Sequence, residues 1–257
     1  MQSTVETPTP PPSSFAPGGY RYLKSVFQFS GGVVADEGFA IERVRLARPL
    51  ALEQGLDAIE SHLARIGRPI AAFCACELRS PAPFTEEGFV EFNRRYVARL
   101  ERWGVYRDGD NPVARTNVCP DDDPPAVPSL HAFSYTVPAT TSARTFIVAG
   151  GAEAHEGRGD YRDSIVRLGD TSLDGLRKKL RFVRDEQQRR LVGLGLGWGD
   201  VLSTQVYTRH DVGPLLRDEL LAGGAAPGGL VWHLASPPVV DCEFEMDARA
   251  VAREVLL

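Results

Sequence analysis

F-Q-F-S-G-G-V-V at residues 27–34 and F-I-V-A-G-G-A at residues 146–152 are two versions of one phrase, an apolar run ending in Gly-Gly, placed about half a chain apart. After each, the chain runs through a polar stretch, a long amphipathic segment and an apolar run of strand length. A shorter helical segment and two closing apolar runs follow. Repetition at a fixed spacing is the mark of a duplicated unit, so positions where the copies differ become the informative ones. The expected organisation is an arm at residues 1–19, a first half at 20–140 and a second at 141–257.

Outward from the first glycine pair, Leu52, Leu56, Ile59, Leu63 and Ile66 form the apolar stripe of a helix that Gly67 and Pro69 end. Residues 70–78 (I-A-A-F-C-A-C-E-L) predict a strand covered on both faces. Thr85 opens a second helix, with Glu86 and Glu87 at its positive end and a stripe of Phe89, Phe92, Tyr96, Leu100 and Trp103. Strands are predicted at 113–118 and 130–137. The second half repeats this grammar: a strand at 145–149, a helix from Leu173 to about Leu194, a strand at 200–208, a helix at 212–221, and closing strands at 230–234 and 239–246. Each half reads β-β-α-β-α-β-β, an α+β unit with its helices on one face of the sheet.

Apolar content of 43% and charged content of 25% suit a globular core, and a net charge of −5 argues against a nucleic-acid partner. No apolar run is long enough to span a bilayer, and no basic-then-apolar leader opens the sequence, so no membrane partner is expected. The four cysteines, Cys74, Cys76, Cys119 and Cys242, fit a reduced cytoplasm. Residues 1–19, rich in Pro, Ser and Thr, predict a disordered arm. Gly193-Leu-Gly195-Leu-Gly197 follows a helix rather than a strand, so a dinucleotide site lacks its context. Asp121, Asp122 and Asp123 lack calcium-loop spacing, and the five histidines lack zinc spacing. No metal or cofactor is expected.

The order of elements resembles the Rid family (RidA/YjgF), whose chorismate-mutase-like halves would here stand in tandem. The resemblance rests on A-G-G near residue 150, L-G-W-G-D-V-L-S-T-Q-V-Y-T at 196–208 and P-P-V-V-D-C-E-F-E-M-D-A at 237–248. In the first half it rests on F-V-E-F-N-R-R-Y and N-P-V-A-R-T-N-V at 111–118. It implies a hydrolytic deaminase of an enamine, imine or unsaturated amino acid such as an aminomuconate. The products would be a keto acid and ammonia. It also implies a homotrimer with pockets between subunits. Duplicated relatives called chorismatases imply an alternative, hydrolysis of or elimination from a carboxylated ring. A non-catalytic small-molecule binder is a third reading, and a ribonuclease is disfavoured by charge.

By that resemblance, the arginine holding the substrate carboxylate corresponds to Arg115. The glutamate positioning water corresponds to Glu243, with His131 at its place in the first half. Gly228 and Gly229 stand where a second arginine would be, and Asn117 replaces a family cysteine. The residues themselves add physical reasons. Arg115 lies in an apolar strand, poorly solvated without an anion, and can hold a carboxylate by two parallel hydrogen bonds. The competing reading is an internal ion pair to Glu77 or Glu243. His131 and His233 interrupt the closing strands and could move protons, or could be satisfied core groups. Glu243 and Glu245, with Asp241 and Asp247, are predicted on one strand face, where solvent-facing acids are the plainer alternative. Asn117, Tyr207 and the backbone of Gly31 and Gly150 complete the candidates. One composite pocket across an interface is expected, joining Arg115 of one half to Glu243 of the other.

Overall fold

The computed structural model describes residues 11–140, 143–155 and 161–257. In chain order its elements begin with β1 (Ser13–Phe15), β2 (Tyr20–Leu23), β3 (Gly32–Ala35) and β4 (Phe39–Ala51). Next come α1 (Leu52–Arg65), β5 (Phe73–Arg79), α2 (Glu86–Arg102), β6 (Ala114–Pro120) and β7 (Ser129–Pro138). The second half holds β8 (Phe146–Ala152), α3 (Tyr161–Ser164), α4 (Leu173–Gly193) and β9 (Ser203–Tyr207). After α5 (Gly213–Leu215), which widens into a π-turn at Leu216–Leu221, come β10 (Leu230–His233), β11 (Ala235–Ser236), β12 (Glu245–Ala250) and β13 (Arg253–Leu256).

These strands make two sheets, ordered β1-β2-β3-β8-β12-β9-β10 and β11-β6-β5-β7-β4-β13. Helices α1 and α2 cover the outer face of the six-stranded sheet with Leu56, Ile59, Phe89, Phe92 and Tyr96. Helices α4 and α5 cover the seven-stranded sheet with Leu176, Leu180, Val183 and Leu215. The inner faces meet through Tyr20, Val33 and Ile147 on one side and Ile41, Cys74 and Ala114 on the other. The result is an α+β stack of helix, sheet, sheet and helix, each apolar face buried against a neighbour.

The helix signals act as the sequence suggests. The Thr85 side chain accepts a hydrogen bond from Gly88 N (3.2 Å), capping α2, and Gly67 takes the left-handed φ of +69° just past α1. Gly55 lets α1 settle on β7, because a Cβ there would lie 2.4 Å from Leu130 Cβ.

Four expectations are corrected. The arm expected to be disordered over residues 1–19 lies outside the described residues up to residue 10. From Ser13 it is folded instead: β1 pairs with β2, and Phe15 packs on Tyr20 at 5.2 Å. That contact supplies the apolar burial that composition alone hides. The halves also trade strands, since β1–β3 extend the second half's sheet through β8, and β13 runs parallel to β4 in the first half's sheet. Among the described residues, nothing in the second half matches the long β4; α3 and an isolated bridge, Ala154 to Ile165, occupy that stretch. Finally, the last strand expected at 239–246 begins only at Glu245, because Asp241 turns the chain through a left-handed φ of 71°.

Candidate active site

Strand β6, buried along all but its last residue, is flanked by β5 and β11. Arg115, 3% exposed, leaves it beneath helix α2 into a cage of rings. Its Cζ lies 5.0 Å from the centroid of Tyr96, 5.1 Å from Phe29, 5.7 Å from Phe89 and 5.9 Å from Phe92. Ring faces attract a guanidinium without accepting its N–H groups as a carboxylate would. Both Nη atoms are accordingly without a hydrogen-bond partner among the described residues. Burial lowers the Arg115 pKa from its usual value, so the site disfavours the charge it holds. The internal ion pairs that would have explained this arginine are absent among the described residues. Glu77 accepts from Arg43 (2.6 and 2.8 Å) and Arg249 (3.1 Å), and these cations overcome burial to hold its carboxyl well below the ordinary range.

Two residues along β6, Asn117 adds a second donor. Its Oδ1 accepts from Ser80 Oγ (3.0 Å), leaving buried Nδ2 unpartnered among the described residues. Arg115 and Asn117 line a cavity of about 50 Å³. That is room for about three or four water molecules. The opposite wall comes from the second half: Gly150, Tyr161, Val239, Cys242 and Glu245. Burial pushes the Cys242 thiol up, which keeps it protonated. Three unpaired donors and one carboxylate thus face an otherwise apolar chamber, a suitable setting for an anion and a proton transfer.

Gly150 contributes by lacking a side chain. A Cβ there would lie 2.2 Å from Glu245 Oε1, so only glycine leaves that carboxylate in place. Its backbone is occupied: the N–H donates to Thr116 Oγ1 (3.1 Å), and Arg190 Nη1 donates to its carbonyl (3.4 Å). The Thr116 hydroxyl in turn donates to Asp247 Oδ2 (3.0 Å), pinning β6, β8 and β12 together behind the cavity.

The family model described as "2-aminomuconate deaminase CnbZ" matches residues 12–255. The chain belongs to this family. A relative called "2-amino-5-chloromuconate deaminase", from Comamonas testosteroni, is 54% identical over 245 residues, covering 95% of this chain and 98% of that protein. Among solved structures, the YjgF gene product of E. coli shares 20% identity, covering 42% of this chain and 81% of its own, with a TM-score of 0.31. A chorismatase shares 12% identity over 89% of this chain and 79% of its own, with a TM-score of 0.46. At those scores neither structure bears on the chemistry.

In this CnbZ-family chain the candidate residues separate. Arg115, Asn117 and Gly150 meet in one cavity, and the carboxylate that joins them is Glu245, not Glu243. Glu243 precedes the strand and pairs with His210 Nε2 at 2.6 Å. The four acids therefore do not share one strand face. Gly31 is outside the cavity, its N–H donating to Leu23 O (2.9 Å) and its carbonyl accepting from Ala149 N (3.2 Å). Tyr207 is also outside, donating to Asp247 Oδ2 (2.8 Å) and stacked on His233 at 4.9 Å. His233 Nε2 pairs with Gln205 Oε1 (2.8 Å), and neither His233 nor His131 lines the cavity. Burial, then the charge of Arg79, pushes His131 down to about 3 and His233 down to about 4, so both are neutral near pH 7. Sequence reasoning missed Tyr161, which opens the four-residue helix α3, and Cys242, in the turn before β12; neither stretch is long enough to carry a periodic signal.

Proposed function

We propose that the chain hydrolyses the carbon–nitrogen bond of an aminomuconate-like unsaturated amino acid, releasing ammonia and a keto acid. As a member of the CnbZ family it is an enzyme acting on C–N bonds. The observation that carries the substrate class is Arg115, a guanidinium that lines the cavity with both Nη atoms unpartnered among the described residues. A substrate carboxylate would give that buried charge its missing partner through two charge-assisted hydrogen bonds. Asn117 Nδ2 would donate to a further substrate oxygen.

Glu245, across the cavity from these donors, would manage the protons. Its carboxylic acid delivers a proton to the enamine carbon, converting C=C–NH₂ to the electrophilic C=NH₂⁺. The resulting carboxylate takes a proton from water as the water oxygen bonds to the nitrogen-bearing iminium carbon. Returning this proton to nitrogen lets the C–N bond break; ammonia leaves as C=O forms, and the hydroxyl proton passes back to Glu245, restoring its carboxylic acid. The sum is substrate plus water giving keto acid plus ammonia. The cavity walls among the described residues come from both halves of a single chain.

The test is ammonia release from an aminomuconate generated in situ. Stoichiometric ammonia and keto acid, faster than without enzyme, is expected. Unaccelerated release, or wild-type turnover by Arg115→Ala, would remove the proposal.

A further inference from the structure

Behind the cavity wall lies an ion pair that takes no part in the chemistry above. Lys179 Nζ is 3.0 Å from Glu153 Oε1, and neither side chain has any exposure. Such a pair contributes little net stability, because desolvating both charges offsets their attraction. Its geometry suggests another role. Glu153 Oε1 also accepts the backbone N–H of Glu243 (2.6 Å), and Oε2 accepts that of Phe244 (3.0 Å).

Those two amides belong to the short stretch between the left-handed turn at Asp241 and the start of β12 at Glu245. They precede the strand ladder, and a side chain satisfies them instead. The residues flanking this clamp face the cavity: Ala152 and Ala154 on one segment, Cys242 and Glu245 on the other. One carboxylate, its back to the cavity, thus ties together two segments whose other sides form the wall. As a carboxylate it can accept all three donors. Burial raises its pKa on balance, while Lys179, carried on α4, and the two backbone N–H groups pull the other way.

We propose that Glu153 and Lys179 are positioning residues that set where Glu245 enters the cavity. This rests on Glu245 being the proton carrier. Two variants test it. Glu153→Asp keeps the charge but shortens the reach by one methylene. Glu153→Gln with Lys179→Met removes both charges at nearly constant size. The expected result is a kcat about 10- to 100-fold lower, as a misplacement near 1 Å produces, with KM within about twofold and the acid limb of the kcat–pH profile displaced. Should the double variant not fold, Glu153→Asp alone is decisive. Folded variants with wild-type kcat and pH profile, whatever their Tm, would overturn the proposal. Glu245→Gln, assayed alongside, separates the two levels. Wild-type turnover there sinks the role of Glu245 itself. An inactive Glu245→Gln beside fully active clamp variants sinks only the positioning role.

Discussion

Arg115 in the first half and Arg190 in the second are almost equally buried, at 3% and 1% exposure, yet they are treated in opposite ways. Arg190 pairs with Glu186 (2.9 Å) and donates to the carbonyl of Ala149 (3.0 Å), so its charge is answered by the fold. Arg115 is surrounded by rings, and its Nη atoms meet no acceptor among the described residues. A satisfied buried arginine is architecture, whereas an unsatisfied one is what the proposed carboxylate site calls for. The same asymmetry runs along the chain. First-half strand β6 offers Arg115 and Asn117 to the cavity. Its counterpart β10, partly exposed at the sheet edge, spends Trp232 and His233 on partners within its own half.

The largest effect expected concerns the acid that faces Arg115. Glu245→Gln should lower kcat by about 10²- to 10⁴-fold, as removal of a positioned proton carrier does, in an ammonia-release assay. Activity within a few-fold of wild type would break the pairing of the two halves. Next, the two arginines should respond with opposite signs. Arg115→Met should lose turnover yet melt a few degrees higher, since an unpaired buried charge is replaced by an apolar chain of similar size. Arg190→Met should melt lower, by about 2–4 °C per kcal/mol lost, because it strands the acceptors that Arg190 now satisfies. Calorimetry on both variants checks this, and equal destabilisation would erase the distinction.

Gly150→Ala sharpens the comparison at the seam of the halves. Its Cβ would meet Glu245 Oε1 at 2.2 Å, so kcat should fall about 10-fold or more while the fold persists. The smallest effect concerns the histidines outside the cavity. His131 has a folded-state pKa near 3, below its unfolded value, so the unfolded chain binds the extra proton first. Its contribution is present above about pH 6.5 and is lost as pH falls towards 3. His131→Asn should therefore flatten the loss of stability on acidification in that window, as urea denaturation at several pH values would reveal. An unchanged slope would contradict it.

Much of this was legible in the sequence. The stripes of α1, α2 and α4 and the buried run of β5 announce themselves by periodicity, and Arg115 stood out as a charge in an apolar strand. The acid opposite it was two residues from the expected one. Glu243 and Glu245 alternate along the same segment, and only the left-handed Asp241 and the Glu153 clamp decide where β12 starts. The exchange of β1–β3 and β13 between sheets was also hidden. Strand partners are chosen by tertiary packing, which leaves no local period. Gly150 was noticed for its backbone, but its role is the space it leaves for a carboxylate from a strand nearly a hundred residues later in the sequence.

The central claim, that Arg115 is a buried cation completed by a ligand carboxylate, is tested most directly by thermal denaturation of wild type and Arg115→Met with increasing muconate, which carries the carboxylates but no amine. The account predicts that wild-type Tm climbs with ligand concentration, as binding to the native state requires. The variant should start higher and not respond. Equal stabilisation of both proteins by muconate would contradict it.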